Sequence, residues 1–271
     1  MDIAKIFHRI LLTALTVVLL TGCEYDWSKR FRDLTAPDGV EIGRYDRLQS
    51  RYLTTGDFSA IQQMNTEYPM QTRTLIEDVL KIGRVNEQNI NTKFLAFYQD
   101  STLQALLADA EAEYANMDDL NRQLTDAFKR LQRHFPDMPV PQIYAQIGDF
   151  AQSIIIGDGI IGISLDKYMG ENYPAYKKFY TYSQRRTMTR SYIVPDCLCF
   201  YLISMYPLED YEHQAEDAQD VHMGKVMWVV NQAMDTPFFQ TDYVTRIDTL
   251  MRQRADITWP QLLSGGEEAG R

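Results

Sequence analysis

The chain has 271 residues, 45% of them hydrophobic, with 37 acidic against 27 basic side chains and a formal net charge of −10. That is enough apolar material for a substantial core, in one domain or two closely packed subdomains. An acidic balance lacks the clustered Lys and Arg that phosphate backbones require, so no nucleic-acid partner is expected. Anionic lipid would also repel such a body, so any membrane contact has to come from an attached lipid and not from a basic face.

At the N-terminus, Lys5 and Arg9 precede an apolar run from Ile10 to Leu20. A membrane-spanning helix needs roughly 20 apolar residues, so this shorter run reads as a secretory signal. It ends in Leu20-Thr21-Gly22-Cys23, which resembles the lipobox of bacterial lipoproteins. The resemblance implies cleavage between Gly22 and Cys23, a diacylglyceryl group on the Cys23 thiol, and a further acyl chain such as palmitate on the freed amine. Several acyl chains on one residue anchor stably where a single chain binds only marginally. Residues 1–22 are therefore expected to be a signal peptide and residues 23–39 a lipidated tether. Fully extended at about 3.5 Å per residue, Glu24 to Gly39 would reach on the order of 55 Å. Glu24 stands where an Asp is associated with inner-membrane retention, which points to the outer membrane and leaves the leaflet open. The other cysteines, Cys197 and Cys199, read as two buried small apolar side chains.

From Val40 the periodicity is helical. Leu75, Ile76, Val79 and Leu80 share a face that Gly83 is placed to end. Leu103, Leu106, Leu107, Ala110 and Tyr114 recur at helical spacing. So do Leu120, Leu124, Ala127, Phe128 and Leu131, with Asp118 as the N-cap. Beyond Pro139-Val140-Pro141, the segments Gln142 to Phe150 and Ser153 to Leu165 are rich in Ile and alternate imperfectly. Gly157-Asp158-Gly159 between apolar runs predicts a hairpin; no Lys-Ser/Thr follows, as a phosphate-binding loop would need. Helices resume after Tyr173-Pro174. Pro195 suits a first helical position and Asp196 favours the same end. The helix to Met205 is nearly all apolar and should be central, with Tyr206-Pro207 stopping it. Leu208 to Asp220 is dense in acid and reads as a solvated connector. Met223, Val226, Met227, Val230 and Met234 form another apolar face. Residues 264–271, rich in Gly and Glu, are expected to be a disordered tail. Residues 40–263 thus form a mainly α domain with a small β-hairpin or sheet, an α+β class.

Chemistry is sparse. A zincin needs His-Glu-x-x-His, two His one helical turn apart around a Glu base, and the chain has no such run. His213, Glu216, Asp217 and His222 are the one alternative for a divalent metal, a divergent metallohydrolase site set against the solvated connector. No Gly-x-Ser-x-Gly elbow occurs, and no cofactor or metal is implied. Tyr168, Tyr173, Tyr176, Tyr180 and Tyr182 cluster with Lys167, Lys177 and Lys178 between them. The first four are candidate binding residues, since aromatics are enriched at binding surfaces; core packing explains them equally well.

Runs spread in order along the chain then add up. They are Arg44-Tyr45-Asp46, Tyr68-Pro69, Asp100 through Tyr114, Phe135-Pro136, Val140-Pro141-x-Ile143-Tyr144, Ile163 through Gly170, Tyr192-Ile193-x-Pro195 and Gly224-Lys225. The most specific is Leu165-Asp166-Lys167-Tyr168-Met169-Gly170 after the hairpin. With the lipobox, these runs make the chain resemble the GldB family, the gliding-motility-associated lipoproteins of Bacteroidota. The resemblance implies a non-catalytic envelope lipoprotein with a protein partner in gliding or related secretion machinery. A more distant similarity is to predicted zincin-type peptidases, in which Pro195 to Met205 would be the metal-binding helix. That helix carries no ligand set here, which implies a degenerate zincin-like scaffold.

Overall fold

The computed structural model describes residues 39–265. The expected signal peptide, Cys23, nearly all of the tether and residues 266–271 lie outside the described residues. A two-residue strand, β1 (Ile42–Gly43), leads into α1 (Tyr45–Thr55), α2 (Phe58–Glu67), α3 (Pro69–Arg73), α4 (Ile90–Phe97), α5 (Ser101–Glu113) and α6 (Asp118–His134). Then come β2 (Gln142–Gln146), β3 (Ile154–Gly157) and β4 (Ile160–Ser164). Two one-turn helices follow, α7 (Tyr176–Phe179) and α8 (Tyr182–Arg185), then α9 (Ile193–Met205), α10 (Glu216–Met234), α11 (Asp242–Gln253) and α12 (Trp259–Leu263). The fold is mainly α with a small sheet.

The sheet is mixed, in the order β1-β2-β4-β3. β1, β2 and β4 run parallel, pairing Ile42 with Ile143 and Ile143 with Ile161; β3 closes one edge antiparallel to β4. The predicted hairpin is β3–β4, and Gly159 turns it at φ +69°, a left-handed conformation that costs glycine little. Helices cover both faces, which explains the imperfect alternation of the Ile-rich runs. Ile143, Ala145, Ile154, Ile161 and Ile163 enter one core with α6 and α9 to α12. Tyr144, Ile155 and Ile160 enter a second core with α1, α2, α4 and α5. Gly162 stands opposite Tyr144 because a Cβ there would lie 2.6 Å from the Tyr144 hydroxyl.

Several helix ends differ from the sequence expectation, for local reasons. The helix carrying Leu75 widens to a π-turn over Thr74–Val79 and stops at Leu80, because Lys81 is already left-handed at φ +53°. Gly83 therefore does not end it. Asp118 is the first residue of α6 and not its cap. The Asn116 side chain accepts its N–H at 2.7 Å, and the Asp118 charge still favours the helix N-terminus. α9 begins at Ile193, so Pro195 sits inside the first turn, where its missing N–H is not needed. Its centrality holds: Cys197, Leu198 and Leu202 are buried in the first core. α10 starts inside the acidic stretch, at Glu216. Its buried face includes His222, Lys225, Val226, Val229, Val230 and Ala233, with Met223, Met227 and Met234 at the border.

Candidate functional site

Ligands of open α/β sheets bind beyond the carboxyl ends of the parallel strands. Here β2 and β4 end side by side, at Gln146 and Ser164, which pair in register. The chain fills this edge with its own side chains. Gln49, fully buried on α1, accepts from Ile147 N–H at 2.9 Å and donates to the Ile147 carbonyl at 2.6 Å. The Tyr98 hydroxyl donates to the same carbonyl at 2.6 Å. Asp166 accepts from Gly148 N–H at 2.6 Å and from Phe150 N–H at 2.8 Å. Its carboxyl is fully buried, and desolvation lifts it from 3.8 to about 6 against the pull of those two N–H groups.

The run from Leu165 to Gly170 is a knot. Leu165 packs into the first core. Lys167 donates to the Phe150 carbonyl at 3.1 Å and to the Tyr180 hydroxyl at 2.9 Å. The Tyr168 hydroxyl donates to Asp196 at 2.8 Å, and its carbonyl accepts from the Tyr114 hydroxyl at 2.6 Å. Burial raises the Asp196 carboxyl to about 6, with the Tyr168 bond pulling the other way. Arg44 forks onto Asp46 at 2.9 and 2.7 Å. Arg44 and Arg47 both donate to the Tyr114 carbonyl, which follows the end of α5. The segments Arg44-Tyr45-Asp46, Asp100 through Tyr114 and Ile163 through Gly170 thus meet at one place.

The four candidate tyrosines share this neighbourhood but not one exposure. Tyr168 and Tyr176 are buried. The Tyr176 hydroxyl donates to the Asp166 carbonyl and accepts from Met169 N–H. Tyr180, half-buried, donates to the Phe150 carbonyl. Tyr173 donates to Asp109 of α5 at 2.9 Å. The outward groups of this segment are its neighbours. Phe179 is 63% and Tyr182 62% exposed, and Lys177, Lys178 and Arg186 are exposed beside them. Sequence reasoning singles out Tyr182 and the lysines but not Phe179, Arg185 or Arg186. A signal was available: no Asp or Glu occurs from Asn172 to Pro195.

The alternative metal ligands are not brought together. His213, exposed, bonds Asp210 at 2.7 Å. Asp217 accepts from the Tyr243 hydroxyl at 3.2 Å, and Glu216 opens α10. His222 is buried, and desolvation, then the nearby Lys225 charge, lowers its proton affinity. Among the described residues no group of three or more His, Cys, Asp and Glu side chains is arranged to hold a metal ion. Cys197 and Cys199 are buried free thiols, and burial pushes both well up from their usual range. Such thiols are poor nucleophiles.

Among the described residues no helix is long and apolar enough to cross a membrane. Residues 28–241 match the family described as gliding motility protein GldB. No curated protein and no solved structure matches the chain.

Proposed function

The chain belongs to the gliding motility protein GldB family of lipoproteins, and from that premise we propose that it is a non-catalytic binding and assembly component of gliding or related secretion machinery in the cell envelope. The observation that carries this reading is the filled carboxyl edge of the sheet. Gln49, Tyr98, Asp166 and Tyr176 spend their polar groups on the chain's own backbone. Groups satisfied in this way rigidify a scaffold. A platform of this kind presents its outer surface to partners.

Location, in this reading, comes from Cys23. Lipid on that residue holds the mature chain on the outer membrane, and the tether lets the domain stand clear of the bilayer. The test replaces Cys23 by Ser in the source bacterium. The expected result is loss of a fatty-acid-analogue label, accumulation of uncut precursor, and impaired gliding or protein secretion. Persisting label would refute the anchor; intact gliding and secretion after deletion of the whole chain would refute the assembly role.

A further inference from the structure

We propose that the surface made by α7, α8 and the turn between them docks an acidic segment of a protein partner in the envelope. This deepens the assembly reading above and rests on it.

The charge is out of character with the molecule. The whole chain carries a formal −10, yet Lys177, Lys178, Arg185, Arg186 and Arg190 fall in a stretch free of acid. Arg190 is consumed by a fork onto Asp119 at 3.1 and 2.7 Å. The other four form no ion pair among the described residues, unlike Arg44, Arg47 and Arg73. Phe179 and Tyr182 project between them. Aromatic and Arg side chains are the groups that anchor protein interfaces.

The patch is also pre-organised. Phe179 stacks on Phe150, with ring centroids 6.2 Å apart and planes at 25°. Tyr176 lies beneath, fully buried and bonded to the knot. Thr181 and Gln184 close a capping box at the start of α8. Arg185 donates to the Glu171 carbonyl at 3.0 Å and lies 5.7 Å from the Tyr182 ring. Binding to a surface already held in place loses little conformational entropy.

An acidic peptide segment suits this patch better than a bilayer. Each Lys or Arg is attracted to an anionic membrane, but a planar surface also meets the acidic remainder of the domain. A narrow acidic segment responds mainly to charges within about 8 Å, the screening length at physiological salt. A second copy brings its own net negative charge and is repelled as a whole.

The test uses the full-length lipidated chain in cells. Photoreactive p-benzoylphenylalanine replaces Phe179 or, separately, Tyr182. Phe58 and Phe200, exposed apolar positions elsewhere, receive the same probe as comparators. Adducts from the first two positions should map to an Asp/Glu-rich segment of another envelope protein. Their yield should fall roughly tenfold when Lys177→Glu, Lys178→Glu and Arg186→Glu are combined, because reversed rim charges cut encounter and affinity; the melting temperature should not move. Adducts only with phospholipid, only with a second copy, or with nothing would overturn the proposal. A partner captured from position 58 or 200 but not from 179 or 182 would sink this surface and leave the assembly reading standing. No partner at any of the four would sink both.

Discussion

Two neighbouring stretches, Leu165–Gly170 and Lys177–Arg186, both carry Lys and Tyr and use their polar and aromatic groups in opposite ways. In the first, Asp166, Lys167 and Tyr168 each reach a partner elsewhere in the chain, and Asp166 and Tyr168 are buried. In the second, Lys177, Lys178, Arg186 and two of the rings face water, while Arg185 is half-buried and bonds the Glu171 carbonyl. Tyr176 and Tyr180 join the two, bonding downward to the knot from a segment whose other side is open. A buried polar group left unpaired costs stability directly, whereas an exposed one is free to serve a partner. Residue type alone therefore says little about role here; the presence of an internal partner says much.

The contrast can be broken most severely at Asp166. Asp166→Ala leaves the N–H groups of Gly148 and Phe150 buried without an acceptor, at about 1–3 kcal/mol each. Chemical denaturation at neutral pH should show a loss of about 4 kcal/mol. A loss below about 1 kcal/mol would mean that the carboxylate does not hold the edge of the sheet.

Next in size is the effect of pH. Burial raises the folded Asp166 carboxyl to about 6 from 3.8. The unfolded chain therefore releases this proton at lower pH than the folded one. The contribution is fully present below about pH 4 and is lost as pH rises through about 6. Each tenfold gain in proton affinity is worth about 1.4 kcal/mol, so the loss is roughly 3 kcal/mol. Carboxylates held low, such as Asp119 beside Arg190, run the other way, so the measurement has to be a difference. The stability of the native chain relative to Asp166→Asn should fall by that amount between about pH 4 and pH 7. A difference independent of pH would show that the carboxyl titrates normally in the fold.

The smallest effect belongs to the open stretch. Lys177→Ala with Arg186→Ala should change stability by no more than about 0.5 kcal/mol, as exposed substitutions away from caps and cores do. A thermal melt checks this. A drop of about 2 kcal/mol or more would show that the patch is part of the scaffold, and the contrast with the knot would dissolve.

Elements that rest on short-range patterns were legible before any coordinates. The Gly159 turn, the apolar helix ending at Met205, the α+β class and the runs that resemble GldB all belong here, because φ/ψ preference and period act over a few residues. Boundaries were less so: Lys81 and Asn116 moved helix ends that Gly83 and Asp118 had suggested. β1 escaped altogether, since two residues carry no period and its pairing partner is Ile143. Which groups of the tyrosine-rich segment are spent and which are free could be read only from the folded chain. The cause is separation in sequence. Gln49 finds the Ile147 carbonyl 98 positions away, and Tyr114 finds that of Tyr168 54 positions away. Local sequence names the donors and acceptors; packing of remote elements assigns them to each other and leaves Phe179 and its lysines facing outward.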